Sequence, residues 1–427
     1  MVILEKKILI IKTAITKFYK KDLKMNKYIK LLKSKNYIYV YASQVISNFG
    51  DAFTMLAFPL FAYYLSGTIL SSGIILMCET IPWIIIGPFA GILADKYDQK
   101  RILLISDLCR AILTFALFMT ANIYVAYIMA FLMGIFTSCF TAARSSIIPN
   151  LLDKDLLESG VTLSSLSRNI ISLLGPSIGT IMLAIFSSKF LFIIDSITYI
   201  ISFILLLNLN INMKNVDKTR IKHYEHASIK TQIFNGFLLV KNNSIIKPIL
   251  DLDIIKTLFE AIISVLIISL IKKYYKLDDS FYALIMTFNS IGILIGIFIC
   301  SKFNINKYKY KLIFVSTIII FLVIYMHSIT LNKYIFLLLW FLYGFCLGIR
   351  ELIMQVIFAN NINDNERGRV YSFSNSMISL AYVIGYLSAN YIYIVLGIKN
   401  SFAFCSIMLG VLSIGYILKN NFMREFS

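Results

Sequence analysis

The stretch GILADKYDQKR, residues Gly91 to Arg101, places five charged side chains (Asp95, Lys96, Asp98, Lys100 and Arg101) in eleven positions, between two apolar runs. The run before it, ETIPWIIIGPFA (79–90), and the run after it, from Ile102, are each apolar enough to remain in lipid. A charged loop between two such runs reads as a turn at a membrane surface. The rest of the chain agrees. Of its 427 residues, 59% are hydrophobic and only 15% charged, which excludes an ordinary soluble domain. A helix needs about 20 apolar residues to cross the hydrocarbon core, so twelve crossings fit the length with one longer polar connection left over.

Apolar runs between breaks predict spans near 38–66, 70–91, 102–120, 123–147, 160–187 and 189–209. A second six follow near 248–271, 280–300, 311–329, 334–359, 368–397 and 400–418. The expected architecture is all-α, with two pseudo-symmetric six-helix bundles. Its parts are a basic N-terminal arm (1–37), a first bundle (38–209), a cytoplasmic linker (210–247), a second bundle (248–418) and a tail (419–427). An offset of 210 maps Asn150, Asp153, Asp155 and Gly175 onto Asn360, Asn363, Asn365 and Gly385, a faint echo of the repeated halves common in transporters.

Charge sets the expected orientation. With the N-terminus inside, the cytoplasmic segments hold 30 of the 41 Lys and Arg, which places both termini in the cytoplasm. Retention of basic residues on that side also explains the net charge of +19 without a nucleic-acid partner. The arm spaces Leu4, Ile8, Ile11, Ile15 and Phe18 as an amphipathic helix among lysines, suited to an anionic lipid surface. A disordered arm, or a protein whose translation starts at Met25, is the plainer alternative. Six scattered cysteines suggest neither a disulfide frame nor a zinc site. His223-x-x-His226 has metal-like spacing but no third ligand nearby, so neither metal nor cofactor is expected.

The charged loop and its neighbours carry a resemblance. Gly91-x-x-x-Asp95-Lys96-x-x-x-Lys100-Arg101, after the second span, resembles the signature loop of the major facilitator superfamily. Asp98 departs from the common glycine and resembles the branch of macrolide-efflux proteins and the enterobactin exporter. SNFGDAF (47–53), SDLCRA (106–111), ARSSIIPNLL (143–152), FLFIIDSITYIISF (190–203) and ERGRVYSFSNSMISL (366–380) are similar to that branch as well. The resemblance implies that Asp95, with Lys96 and Arg101, latches the halves together against the start of span eleven, near Gly368 and Arg369, when the protein opens outward. A carboxylate at a helix N-terminus gains about 0.3–1 kcal/mol when exposed, enough to bias a gate and little enough to release. The plainer alternative is that these charges cap helices and enforce topology. Gly175-Pro176 and Gly179 in span five resemble the antiporter motif of drug exporters, with Thr180 in place of a repeated glycine; close helix packing explains them nearly as well.

Ionisable residues inside spans are costly and mark function or internal pairing. Those present are Asp51, Glu79, Asp107, Arg110, Arg144, Arg168, Asp195, Lys256, Glu260, Arg350 and Glu351. Asp107, Arg144 and Glu351 lie toward span ends and read as local ion pairs, and Arg168 and Arg350 as structural. Asp51, Glu79, Arg110 and Glu260 fall nearest midspan on four helices. They are the expected central cavity, binding a proton or a cationic group, with a Glu79–Arg110 pair as the structural alternative. No phosphate-binding loop is present, so an ion gradient is the expected energy source. The expectation is a monomeric, proton-coupled exporter of amphipathic small molecules such as macrolide-like drugs, in a bacterial plasma membrane. A siderophore or metabolite exporter, or an uptake carrier, is the nearest alternative. A channel lacks a pore-lining repeat, and an enzyme lacks a concentrated catalytic set.

Overall fold

The structure, a computed structural model, describes residues 30–210, 229–303, 305–330, 332–362 and 364–419. The basic arm before Lys30, the His223–His226 pair and the tail after Lys419 lie outside the described residues. Among those described there are helices and no strands, as lipid demands: without water to bond the backbone, each segment must satisfy its own N–H and C=O groups.

The first set of helices is α1 (Lys35–Ser66), α2 (Ile69–Ile85), α3 (Gly87–Lys96), α4 (Gln99–Met119), α5 (Ile123–Leu151), α6 (Lys154–Ile185) and α7 (Ser188–Leu207). Helices α2 and α3 are one span interrupted at Ile86, two residues before Pro88, which has no N–H to continue the ladder. After the undescribed part of the linker come α8 (Ile229–Asn242), α9 (Ile246–Ser269, continued by a π turn to Tyr275), α10 (Asp279–Cys300), α11 (Ile305–Ile329), α12 (Lys333–Asn361) and α13 (Asp364–Lys419). The last is two spans joined at Gly397, whose φ of 72° is the left-handed conformation that glycine adopts without strain.

Nine of these helices are long and apolar enough to cross a membrane. The interrupted α2–α3 span, the apolar segment Leu174–Leu183 inside α6, and the second arm of α13 bring the total to the expected twelve. Several bounds differ from expectation. Helices α5 and α6 extend to Leu151 and back to Lys154, so only two residues connect them, and the linker contains the helix α8. Gly236 of α8 packs on α13 at the Arg369 carbonyl (2.8 Å) and Phe373 Cβ (2.9 Å), measured from where a Cβ would stand.

The two halves meet where α2 packs on α13 and where α6 packs on α10. Gly73 of α2 lies directly on the Tyr386 carbonyl of α13, an approach that any side chain would block. Within the second half the tightest seam joins α10 to α12. Gly292 and Gly296 face the backbone of Phe341 and Phe345, while Gly344 and Gly348 face the carbonyls of Asn289 and Ile293. This reciprocal small-xxx-small pattern brings two backbones together where dispersion and close packing, rather than exclusion of water, drive association.

The buried apolar side chains are arranged differently at the two ends of the molecule. At the end remote from the linker one continuous core joins both halves, with Leu117, Leu191 and Phe192 in the same cluster as Ile267, Tyr282 and Phe336. At the linker end the core divides. Tyr37, Leu103, Ile147 and Leu206 form a cluster of first-half residues alone, and Ile249, Ile313, Ile357 and Ile417 belong to one of two second-half clusters. The apolar core is thus shared by both halves at the far end and divided between them at the linker end.

The seam makes a specific prediction. Gly344→Leu should lower the stability of the purified protein by about 1–3 kcal/mol or more, because backbone on the facing helix cannot yield. Gly415→Leu, at a position with open space around it, should leave the detergent-solubilised thermal midpoint within about a degree of wild type. Equal midpoints for both variants would remove the seam as a stability determinant.

Candidate functional site

The chemistry of the first half gathers around Arg110. Asp107 and Arg110 are three residues apart on α4, on one helical face, and the guanidinium Nη2 donates directly to the Asp107 carboxylate. Both side chains are buried, 0% and 1% exposed, so the pair has no water to fall back on. The guanidinium carbon lies 4.2 Å from the ring centre of Phe140 (α5) and 4.3 Å from that of Tyr199 (α7). A desolvated cation held between two aromatic faces gains about 2 kcal/mol or more from the ring quadrupoles.

Two further carboxyls share this pocket. The Tyr199 hydroxyl donates to Asp51 of α1, so one tyrosine contacts the cation with its face and a carboxyl with its edge. Asp195, one turn earlier on α7, accepts from Thr54 Oγ1 of α1 and from Thr198 Oγ1 (3.2 Å). Gly50 leaves the room for this contact, since a Cβ there would collide with both Asp195 and Thr198. Ser202 Oγ donates to Asp107 at 2.6 Å. Three carboxyls, Asp51, Asp107 and Asp195, thus surround a single guanidinium.

Glu79 on α2 and Asp51 are half-buried and close enough to interact electrostatically. In the second half, Lys256 of α9 bridges Asp253 (3.4 Å) and Glu260 (3.2 Å) along one helical face. Tyr386 of α13 lies within electrostatic reach of both Glu79 and Glu260, and so stands between the two halves. The four residues expected at the centre divide accordingly. Asp51, Glu79 and Arg110 come together in the first half, and Glu260 faces them from the second with Lys256 as its immediate partner. Arg110 pairs with Asp107, which replaces the Glu79–Arg110 alternative. Arg350 donates to Thr317 Oγ1 (2.9 Å) and to the Leu252 carbonyl (3.2 Å), tying α12 to α11 and α9.

The charged loop is built with equal care. Asp98 is the N-cap of α4, accepting from the Lys100 N–H at 3.0 Å, and pairs with exposed Arg101 at 3.6 Å. Lys100 Nζ reaches across to the carbonyls of Leu207 (2.8 Å) and Leu209 (2.6 Å), closing the C-terminal end of α7. Gly91 and Asp95 belong to α3, which ends at Lys96. The Asp95 side chain and the side of α13 at Gly368 lie outside the described residues; Arg369 is exposed. In α6, Gly175 rests on Ala52 and Gly179 on Leu56 and Phe53, so the Gly175-Pro176-x-x-Gly179 segment packs on α1 beside Asp51.

The family model of the Major Facilitator Superfamily matches residues 40–250 and 254–424. The chain belongs to that superfamily. It is 28% identical over 350 residues to the Staphyloferrin A transporter of Staphylococcus aureus, covering 78% of this chain and 84% of that one. It is 21% identical over 363 residues to Macrolide efflux protein A of Streptococcus pyogenes, covering 81% and 86%. The crystal structure of the nucleoside transporter NupG superposes with a TM-score of 0.69, covering 92% of this chain and 99% of that one at 12% identity, which is a likeness of fold. The protein is therefore a multi-pass membrane transporter of the major facilitator fold.

Within that fold the residues that sequence reasoning underweighted are Asp195 and Tyr199. Their signal was present: Asp195, Thr198 and Tyr199 follow the i, i+3, i+4 spacing of one helical face in an otherwise apolar segment. Removing the shared cation tests the arrangement. Arg110→Met should cost about 3–5 kcal/mol, the usual consequence of stranding buried carboxylates. Adding Asp107→Asn in the same chain should restore part of it, a positive coupling read from a double-mutant cycle of thermal unfolding. Additive losses would show that the two side chains do not balance each other.

Proposed function

We propose that this chain is a proton-coupled secondary active exporter of amphipathic small molecules, working by alternating access in a bacterial plasma membrane. The observation that carries the reading is the excess of carboxyls around Arg110. One guanidinium balances one carboxylate, and Asp107 takes it directly. Asp51 and Asp195 then need a counter-charge of their own, because an unpaired charge out of water costs several kcal/mol. A proton is the smallest cation that supplies it, and half-buried Asp51 can exchange one with the cleft. Each proton moving down 100 mV yields ~2.3 kcal/mol.

The positive-inside distribution supports a cytoplasmic linker end, which makes the described state inward-open. Substrate then enters from the cytoplasm between the divided cores. The similarity to Macrolide efflux protein A supports export of lipophilic compounds. The higher identity to the Staphyloferrin A transporter favours a second reading, export of a siderophore or a comparable metabolite. In the outward-facing state Asp95 engages the start of α13 as the latch.

Everted vesicles with an acid interior test the coupling. A radiolabelled macrolide, and separately a hydroxycarboxylate siderophore, should accumulate only while the pH gradient lasts. Asp51→Asn and Asp195→Asn should each reduce gradient-driven accumulation at least tenfold while substrate binding persists. Proton uptake unaltered in both variants, and in Glu79→Gln and Glu260→Gln, would sink the proton-coupled reading. For the latch, Asp95→Asn should raise maleimide labelling of a cysteine introduced at Ser145 on the linker side. Unchanged labelling together with an unchanged transport rate would leave Asp95 a capping residue only.

A further inference from the structure

At the linker end the first half carries a concavity between two of its helices. Between the end of α5 and the first turns of α6 lies a cleft of about 410 Å³, large enough for part of a small molecule. Arg144 comes from α5 and Arg168 from α6, so two guanidinium groups line one small space. The hydroxyls of Thr141 and Ser164 add hydrogen-bonding capacity, and Ile148 and Leu157 supply an apolar wall.

Neither arginine has the kind of partner that the other intramembrane arginines have. Arg110 is bonded to Asp107 and lies between two rings, and Arg350 is bonded to Thr317 and Leu252. Arg144 was expected to form a local ion pair, yet among the described residues no carboxylate pairs with it or with Arg168. Arg144 Nε is fully shielded from solvent and makes no hydrogen bond among those residues. Arg144 and Arg168 also sit close enough to repel each other. Two like charges, one with a buried and idle donor, are an unfavourable arrangement unless something negative completes it. Guanidinium is suited to that task, because its planar fork matches a carboxylate or phosphate with two parallel hydrogen bonds.

We propose that Arg144 and Arg168 form an anion subsite at the linker-end mouth of the first half, which takes the carboxylate or phosphate group of an amphipathic molecule. It deepens the transport reading by naming a substrate class, and rests on that reading for its place on the entry route. The position fits. Arg144 is one helical turn, about 6 Å along α5, from Phe140, which covers the Arg110 guanidinium. An anion held at Arg144 therefore waits just outside the carboxyl cluster. Its apolar portion can lie against Ile148 and Leu157.

Binding to the full-length protein in phosphatidylcholine nanodiscs tests the subsite. The probe is dansyl-glutamate, an amphipathic dicarboxylate, with neutral dansylamide as its control and inorganic phosphate as competitor. Wild type should bind dansyl-glutamate and release it to phosphate. Arg144→Gln and Arg168→Gln should each weaken binding at least fivefold, Arg144→Lys should recover part of the loss, and dansylamide should be indifferent to all three. Replacing a third of the lipid with phosphatidylglycerol distinguishes the sources. Weaker probe binding in wild type but not in the glutamine variants assigns the site to a lipid headgroup, and unchanged binding assigns it to a soluble anion; either supports the site. The proposal is overturned if wild type does not bind dansyl-glutamate. It is overturned equally if a monodisperse Arg144→Gln/Arg168→Gln protein of wild-type helix content binds it as wild type does. Absence of gradient-driven transport by the wild type, with arginine-dependent binding intact, would remove the proton-coupled reading and leave the subsite standing.

Discussion

A cation inside a membrane protein has to be balanced by the protein itself, and here that condition falls on Arg110. Its guanidinium sits on α4, is covered by a ring from α5 and another from α7, and draws the carboxyl of α1 into its neighbourhood through Tyr199. Four of the six spans in the first half thus converge on one charge. The remaining features follow from this convergence. Gly50 must be small so that Asp195 can approach α1, and Gly175 and Gly179 must be small so that α6 can close over the same helix beside Asp51. The packing of the half and the chemistry of its centre are two aspects of one arrangement.

The second half is organised differently. Its cohesion comes from backbone proximity along the α10–α12 seam, while its charges lie in a row on α9, with Lys256 between Asp253 and Glu260. Half-exposed Asp51 and Glu79 on one side are thus matched by a row of two acids and one base on the other. The halves share an architecture and divide the chemistry.

Most of the fold was legible in the sequence because lipid leaves few options: an apolar run of sufficient length has to be a helix, and basic residues mark the loops. The departures came where local chemistry is ambiguous. The break at Ile86 depends on Pro88 within a run that reads as continuous, and the last two spans merge because Gly397 alone makes the turn. At the site, midspan position singled out Asp51, Glu79, Arg110 and Glu260, of which the structure gathers the first three in one half and sets Glu260 beside Lys256 in the other. It undervalued Asp195, whose importance lies in Thr54 and Gly50 on a helix some 140 residues away in sequence. Asp98, whose departure from glycine resembles the efflux branch, is in addition the cap of α4, a role that the loop pattern does not show. The idle donor of Arg144 had no sequence signal at all, since only three-dimensional neighbours show that a partner is missing.

The grip of Lys100 on the carbonyls of Leu207 and Leu209 has a mechanical consequence. It fixes the point from which the linker departs, and α8, seated on the start of α13, fixes the point at which the linker is recaptured. The halves themselves touch within the membrane, where Gly73 bears on Tyr386 and α6 packs on α10, so a bulkier residue at Gly73 would force the two halves apart at that point.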